Sequence, residues 1–593
     1  MNDRLPATTP IRAGKVRSTP KGRRVDPQAL ADVRTLLGDA PRRRDLLIEH
    51  LHRIQDRFGC LSDRHLVALA DEMKLAPTEV YEVATFYHHF DVVKDGVAAP
   101  PAITVRVCDS IACELAGAQG LLERLPKLLG PDVRVLAAPC IGRCEQAPAA
   151  TVGQHPVACA TAARIEALVR RRDVRHPAAK DTARFDPAAC VDPKNTPGVV
   201  LEASPAYVGY DAYRAAGGYR LLADCLAGKH SPEQLIETME QSGLRGLGGA
   251  GFPTGRKWKI VRAEPQPKVV ALNIDEGEPG TFKDRVYLER DPHRFLEGML
   301  VAAWVVQAGA CYVYLRDEYH GCRAILEREL ARLRADPPCA LPLIELRRGA
   351  GAYICGEETA LLESIEGKRG TVRPKPPLPA IEGLFGQPTV INNVISLASV
   401  PIILDKGGAY YKDYGMGRSL GTLPIQLTGN IARGGLIEKA FGVTLRELLY
   451  EYGGGSASGR PIRAVQVGGP LGAYLPESQF DTPLDYEAFA ALGAVLGHGG
   501  IVVFDDSVDM ADMARYAMEF CAVESCGKCT PCRIGSTRGE ELLEQIIVAR
   551  SEGPQPGRIE LLKSLCDTML GASLCALGYL SGPECDAPAG GTP

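Results

Sequence analysis

Apolar side chains recur at helical intervals near the start of the chain. Leu47, Leu51, Ile54 and Phe58 lie three or four residues apart, and 66–73 and 78–90 carry the same period. The spacing predicts a small helical bundle over 26–98, behind a basic arm, 1–25, with too little apolar content to pack. Past Pro100 and Pro101 the period changes. ITVRVCDS alternates as a strand does, 116–129 returns to a helical period and VRVLAAPC alternates again, predicting a compact α/β unit over 99–172. Residues 173–205 are rich in Pro, Ala and charge without period, as interdomain linkers are. From 206 to 418, strand-like runs (KVVALNID, ACYVYLRD, LPLIELRR) alternate with helical ones, the pattern of a layered α/β domain. Short β-like runs broken by glycines (LPIQLTG, RAVQVGG, GGIVVFDD) predict a small mixed β domain over 419–508, and the tail, 509–593, reads as helical. The expected class is multidomain α/β.

One uncharged run, GMLVAAWVVQAGACYVYL from Gly298 to Leu315, approaches the length of a membrane span. Gly309 divides it into a helix-like half and a strand-like half rich in Val and Tyr, so it predicts a buried helix and a core strand, with no membrane span. In 593 residues, 68 Lys and Arg face 72 Asp and Glu, and the net charge of -4 offers no cationic field to nucleic acid or anionic lipid. The 19 cysteines, behind a start without an apolar signal core, predict a reducing, cytoplasmic setting in which thiols are metal ligands or core residues.

ESCGKCTPCRIG sets Cys526, Cys529 and Cys532 with two residues between each and the next. That spacing is too tight for the paired knuckles of a structural zinc site and suits three corners of a 4Fe-4S cluster. The fourth ligand must come from elsewhere in the tail, where Cys521, Cys566, Cys575 and Cys585 are candidates that spacing does not separate. A second set, Cys108 with Cys113 and Cys140 with Cys144, places one pair at the end of each strand of the small α/β unit. Four such thiols suit a 2Fe-2S cluster, with zinc as the rival.

GLRGLGGAGFPTGRKW contains Gly246, Gly248 and Gly251 in dinucleotide-fingerprint spacing. The segment before it reads as a helix, whereas the fingerprint follows a strand. The loop can still present backbone N–H groups to phosphate or ribose, with Lys257 adding positive charge; the bland alternative is a tight turn. NIDEGEPGTFKDR sets Asn273, Asp275, Glu276 and Glu278 at a strand end, where α/β domains build ligand sites. Glu357 and Glu358 stand where a glycine turn enters a helix, a place where acidic residues also simply offset the helix dipole.

Taken in order, GLRGLGGAGFPTGRKW, NIDEGEPGTFKDR, GAGAYICGEETALLES, EGKRG with KPPLP, PTVINN and ESCGKCTPCRIG resemble the NADH-oxidising flavoprotein module of respiratory complex I, over about residues 206–593. ATFYHHF and the two cysteine pairs are similar to that module's 2Fe-2S subunit, so the chain resembles a fusion of both. The resemblance implies a helical bundle, a thioredoxin-like ferredoxin domain, a Rossmann-like flavin domain, a β-grasp domain and a C-terminal helical 4Fe-4S domain. It implies FMN contacts at Gly246, Gly248, Lys257, Asn273, Asp275, Glu276, Gly356, Asn392 and Asn393, and NAD nearby at Gly249, Phe252, Glu278 and Glu358. Glu357 joins this cofactor-binding set, Tyr353 is expected beside the flavin ring, and Cys575 is selected as the fourth tail ligand. Glu276, Glu278 and Tyr353 are the residues expected to orient nicotinamide against flavin, with no nucleophile or general base required. Two departures stand out: Leu247 replaces a usual arginine, and Leu378 replaces an aromatic that stacks on adenine, which implies adenine binding weaker by on the order of a kcal/mol.

Within such fusions the run RRRDLLIEHLHRIQDRFGCLSDRHLVALADEM resembles the beta, or diaphorase, subunit of NAD-dependent formate dehydrogenases. The leading expectation is therefore electron transfer between NAD(H), FMN, and 2Fe-2S and 4Fe-4S clusters, with an alpha subunit carrying molybdenum or tungsten pterin and further iron-sulfur clusters as partner. The alternatives are the diaphorase of an NAD-reducing hydrogenase or complex I-like module, and a non-catalytic metal-thiolate scaffold.

Overall fold

The computed structural model describes residues 23–182 and 206–578. Nearly all of the basic arm, most of the linker and the candidate ligand Cys585 lie outside the described residues. Helices Pro27–Leu37, Leu47–Phe58, Asp63–Met73 and Pro77–Phe86 form the bundle. Leu47, Leu51 and Ile54 face its core, and Gly59, at φ 76°, ends the second helix in the left-handed conformation that glycine adopts without penalty. The helical period read to Phe90 stops at Phe86. Tyr87 turns extended, and the His88 and His89 N–H groups donate instead to the carbonyls of Gly351 and Ala350, at 3.3 and 3.1 Å. Tertiary bonding overrides the local pattern here, and it docks the bundle on the central α/β domain. Tyr87 Oη donates to the Lys368 carbonyl at 2.7 Å, and the buried Arg347 guanidinium reaches Asp45 and Glu345, each at 2.6 Å.

In the next unit, strand Ile103–Cys108 runs parallel to Val133–Ala138 and antiparallel to Ala150–Val152, with His155–Val157 at the edge. Cys108 pairs in register with Ala138, so both cysteine pairs leave the sheet at neighbouring strand ends. The central sheet orders Leu343–Arg348, Ala310–Leu315, Val269–Ile274 and Thr389–Asn393, all parallel. A parallel strand covered on both faces is apolar almost throughout, as VVALNI is. Its register sets Asn393 beside Asn273, so the chemistry-bearing residues gather at one edge.

The uncharged run divides as expected into helix Pro292–Val306 and strand Ala310–Leu315. Among the described residues no helix is long and apolar enough to cross a membrane. The small β region is a five-stranded mixed sheet, Gly435–Ala440, Thr422–Gly429, Gly500–Asp505, Ile462–Val467 and Ala473–Pro476 in spatial order. The tail packs helices Met510–Glu524, Thr530–Val548 and Pro556–Ala572.

Removing one partner of a buried ion pair strands the other charges. Arg347→Ala is therefore expected to cost about 3–5 kcal/mol in docking the bundle, seen as an earlier urea transition of the front domain, whereas Arg23→Ala, which removes a solvent-exposed guanidinium, is expected to leave that transition nearly unmoved.

Candidate functional site

Cys108, Cys113, Cys140 and Cys144 are all buried and form a connected set. Cys140 and Cys144 Sγ lie 3.4 Å apart. Cys108 is pushed up chiefly by Cys113, Cys140 by Cys108, to about 12, and Cys144 by Cys140. Thiols that oppose one another's ionisation in a buried place become thiolates together only around a metal, which is what an iron-sulfur cluster supplies. The Ala149 N–H points at Cys113 Sγ (3.3 Å) and the Gly280 N–H at Cys144 Sγ (3.3 Å), the outer donors that such ligands take.

In the tail, Cys529 stands at the N-cap of helix Thr530–Val548, Cys532 lies in its first turn, and Gly527, at φ 75°, makes the bend between the ligands. Burial raises Cys532, and Cys529 and Cys526 add to the rise. Cys575 is raised to about 12, first by burial, with Cys532 and Cys526 among its charged neighbours. Its turn, Ala576–Gly578, packs on Cys532. The fourth candidate that the resemblance selects thus faces the triplet.

The glycine loop lies between helices Pro232–Ser242 and Thr254–Ala263, so its surroundings are not those of a strand-to-helix fingerprint. It packs on the strand ends: a Cβ on Gly248 would stand 3.0 Å from Asn393 Cβ, so only glycine lets the backbone so near. Lys257 Nζ donates to the Ile391 carbonyl (2.8 Å), and burial lowers its pKa. Trp258 Nε1 donates to Asn392 Oδ1 (3.1 Å), and Asn273 Nδ2 to the Gly356 carbonyl (2.7 Å). Asn393 Oδ1 caps the helix from Val394, and its Nδ2 donates to Asp284 (2.7 Å). Leu247, in place of the usual arginine, is buried apolar packing, while Leu378 is half exposed. The Gly246 N–H closes the loop on itself by donating to the Phe252 carbonyl at 2.8 Å. Phe252 is exposed, with Lys257 Nζ 5.8 Å from its ring centre.

The acidic residues divide sharply. Glu276 is saturated by protein donors, the Asp284 and Arg285 N–H groups (3.0 and 3.1 Å) and Tyr319 Oη (2.8 Å). Glu357 caps its helix by accepting from Thr359 and Ala360 N–H, the bland role considered for it, and Lys375 reaches both Glu357 (2.9 Å) and Glu358 (3.1 Å). Glu278 differs: its Oε1 is buried with no partner among the described residues, and its Oε2 lies 2.6 Å from His498 Nδ1. Asp275 Oδ2 is likewise buried without a partner, and burial holds this carboxyl well above the carboxylate range. A polar cavity beside it is lined by Pro139, Arg316, Glu318, Tyr353 and Glu524, drawn from three domains. Tyr353 bridges two of them, its N–H donating to Glu524 Oε2 (3.0 Å) and its ring lying 4.9 Å from that of Phe520. Sequence reasoning passed over His498, Arg316 and Glu524; the only trace was that each adjoins a motif, His498 in LGHGG, Arg316 at the end of ACYVYLR and Glu524 before the triplet.

Comparison with known proteins extends these observations. The Nuo51 FMN-binding domain matches residues 239–402, the thioredoxin-like [2Fe-2S] ferredoxin 33–173, and the NADH-ubiquinone oxidoreductase-F iron-sulfur binding region 512–582. The second F subunit of NADH-quinone oxidoreductase in Rhizobium meliloti is 44% identical over 375 residues, 62% of this chain and 88% of the relative. The chain belongs to the family of NADH-quinone oxidoreductase F subunits. Like fused members of that family it carries the 2Fe-2S, FMN and 4Fe-4S domains in one polypeptide, and the ferredoxin match favours iron over zinc at the front thiols. The NAD-reducing hydrogenase HoxS subunit alpha of Cupriavidus necator is 34% identical over 535 residues, 86% of this chain and 85% of that one. The crystal structure of an air-oxidized NAD+-reducing [NiFe]-hydrogenase superposes with a TM-score of 0.75 at 30% identity, covering 92% of each chain. Membership of this family makes the chain an NADH-oxidising flavin and iron-sulfur subunit with a mixed α/β multidomain fold.

Cys575→Ser is expected to remove the tail cluster's four irons and leave the two held by the front domain, while Cys521→Ser and Cys566→Ser keep both clusters. Iron analysis and electron paramagnetic resonance of the purified variants check this.

Proposed function

We propose that this chain is the diaphorase subunit of a cytoplasmic, multi-subunit oxidoreductase of the NAD-reducing hydrogenase type, exchanging electrons between NAD(H) and a partner's metal site. The observation that carries the reading is that both thiol sites abut loops that follow strands of the central sheet: Cys144 meets Gly280, past strand Val269–Ile274, and Tyr353, past strand Leu343–Arg348, meets Glu524 ahead of the triplet. The likeness to the HoxS alpha subunit supports it, because that likeness runs through the ferredoxin domain as well as the flavin domain. FMN, when bound, supplies the conversion between the paired electrons of a nicotinamide hydride and the single electrons that clusters take.

The chain's own residues bind and orient. The 246–251 backbone and Lys257 hold the phosphate side, and Asn273, Asn392, Asn393 and Gly356 frame the ring at the strand ends. The free Oε1 of Glu278 accepts from the nucleotide, with Gly249, Phe252 and Glu358 beside it. Glu276 holds the segment on which Glu278 stands, and Tyr353 excludes water between the flavin and tail sites. The limits 26–98, 99–172, 206–418, 419–508 and 509–593 serve as the working domains, with 419–508 assigned as β-grasp.

Formate dehydrogenase is the second reading, favoured by the completeness of the four front cysteines, since fused hydrogenase diaphorases are expected to lose some of them. Metal analysis of the complex purified with this chain separates the two, nickel for the first and molybdenum or tungsten for the second. NADH-dependent reduction of a viologen dye by the chain loaded with FMN and iron-sulfur clusters tests both, and its absence would return the chain to a thiolate scaffold.

Burial opposes charge on His498, yet Glu278 outweighs it and raises the pKa above the ordinary histidine value. A raised folded value means that the pair's contribution is complete below about pH 6.5 and fades as pH rises through the folded pKa. The KM for NADH is therefore expected to rise on the alkaline side of that value at nearly constant kcat, and His498→Gln to raise KM several-fold and flatten the profile. Steady-state kinetics between about pH 6 and 9 check it.

A further inference from the structure

The two halves of the front thiol site are held by different domains. Cys113 takes its donor from Ala149, within the ferredoxin unit. The Cys140–Cys144 loop has one donor of its own, the Gly142 N–H to Cys140 Sγ (3.4 Å), and takes its others from the flavin domain. The Gly280 N–H reaches Cys144 Sγ (3.3 Å), Arg285 Nε donates to the Gly142 carbonyl (2.8 Å), and Arg316 Nη2 donates to the Cys140 carbonyl (2.5 Å). The same Arg316 donates through Nη1 to the Glu276 carbonyl, at the end of the central strand.

The charges of the two arginines are balanced unequally. Arg285 contacts the carboxylates of both Glu145 and Glu289. Arg316 is ion-paired with Glu318, at 3.1 Å; its further acidic neighbours, Asp275 and Glu524, are buried, and burial raises the pKa of both and so disfavours their charged forms. Arg316 is itself 4% exposed, so solvent screens it little.

We propose that Arg316 of the flavin domain is a positioning residue for the 2Fe-2S cluster, holding the Cys140 side of its loop and raising its reduction potential. A reduced cluster carries one more negative charge than an oxidised one, and a buried cation beside a ligand favours the reduced form. The couple is a one-electron reduction by dithionite in which one ferric ion becomes ferrous and no bond breaks. The inference rests on Cys108, Cys113, Cys140 and Cys144 as the ligands. If the unmodified chain gives no 2Fe-2S signal, that assignment fails; an unmoved midpoint fails this inference alone.

The test is a potentiometric titration of the full chain, with the 2Fe-2S and 4Fe-4S signals read separately by electron paramagnetic resonance. Arg316→Gln is expected to shift the 2Fe-2S equilibrium about tenfold toward the oxidised form, ~59 mV for a one-electron couple. Arg316→Lys, which keeps the charge, is expected to retain most of the native value, and the tail cluster to stay unmoved in both. Glu318→Gln, which removes the offsetting charge, should move the 2Fe-2S midpoint upward, and it decides the matter if Arg316→Gln does not hold its cluster. A 2Fe-2S midpoint unchanged in Glu318→Gln, unchanged in a cluster-bearing Arg316→Gln, or shifted equally by Lys and Gln would overturn the proposal.

Discussion

The seam between the Cys140–Cys144 loop and segment 276–285 is the constraint on which the rest of the molecule depends. A sulfur and two carbonyls of the loop take donors from the opposite domain there with almost no access to water, beside a carboxylate, Glu276, that is saturated within its own domain. Buried polar groups leave little tolerance for sliding, because a displaced donor in such a place costs as much as a lost hydrogen bond. The ferredoxin unit is thereby locked in one pose against the central sheet. The sheet in turn has only one edge at which its strands end together, so the pose brings the front thiols to the edge where Asn273 and Asn393 lie side by side.

Division of labour among the acidic residues follows from how many donors each can reach. Glu276 is spent on two backbone N–H groups and a tyrosine, and Glu357 on a helix terminus. Glu278 and Asp275 each retain an oxygen that no group among the described residues fills, and such unfilled acceptors in a buried place are where an outside molecule gains most from binding. Adjacency in the motif therefore conceals opposite situations: a saturated carboxylate and one with an open oxygen stand two residues apart.

Much of this was legible in the sequence because the strongest signals are local. Period and punctuation located the bundle, the parallel strands and the helix-then-strand division of the uncharged run, and thiol spacing marked both metal sites. Two kinds of feature escaped. Long-range bonding cut the helix at Phe86, since the His88 and His89 N–H groups met carbonyls far along the chain, at Gly351 and Ala350. Single residues to which no pattern gives a role, His498, Arg316 and Glu524, acquire their importance only from what the fold sets against them. The preference for a formate partner drew on the N-terminal run and the intact cysteines, whereas likeness over most of the chain runs to the hydrogenase protein.

The early end of that helix carries a meaning beyond pattern reading. By surrendering its last turn, the bundle lays two amides along the very bend, 350–351, that leads into Tyr353. The bundle thus acts as a brace beneath Tyr353, whose N–H and ring meet Glu524 and Phe520 of the tail.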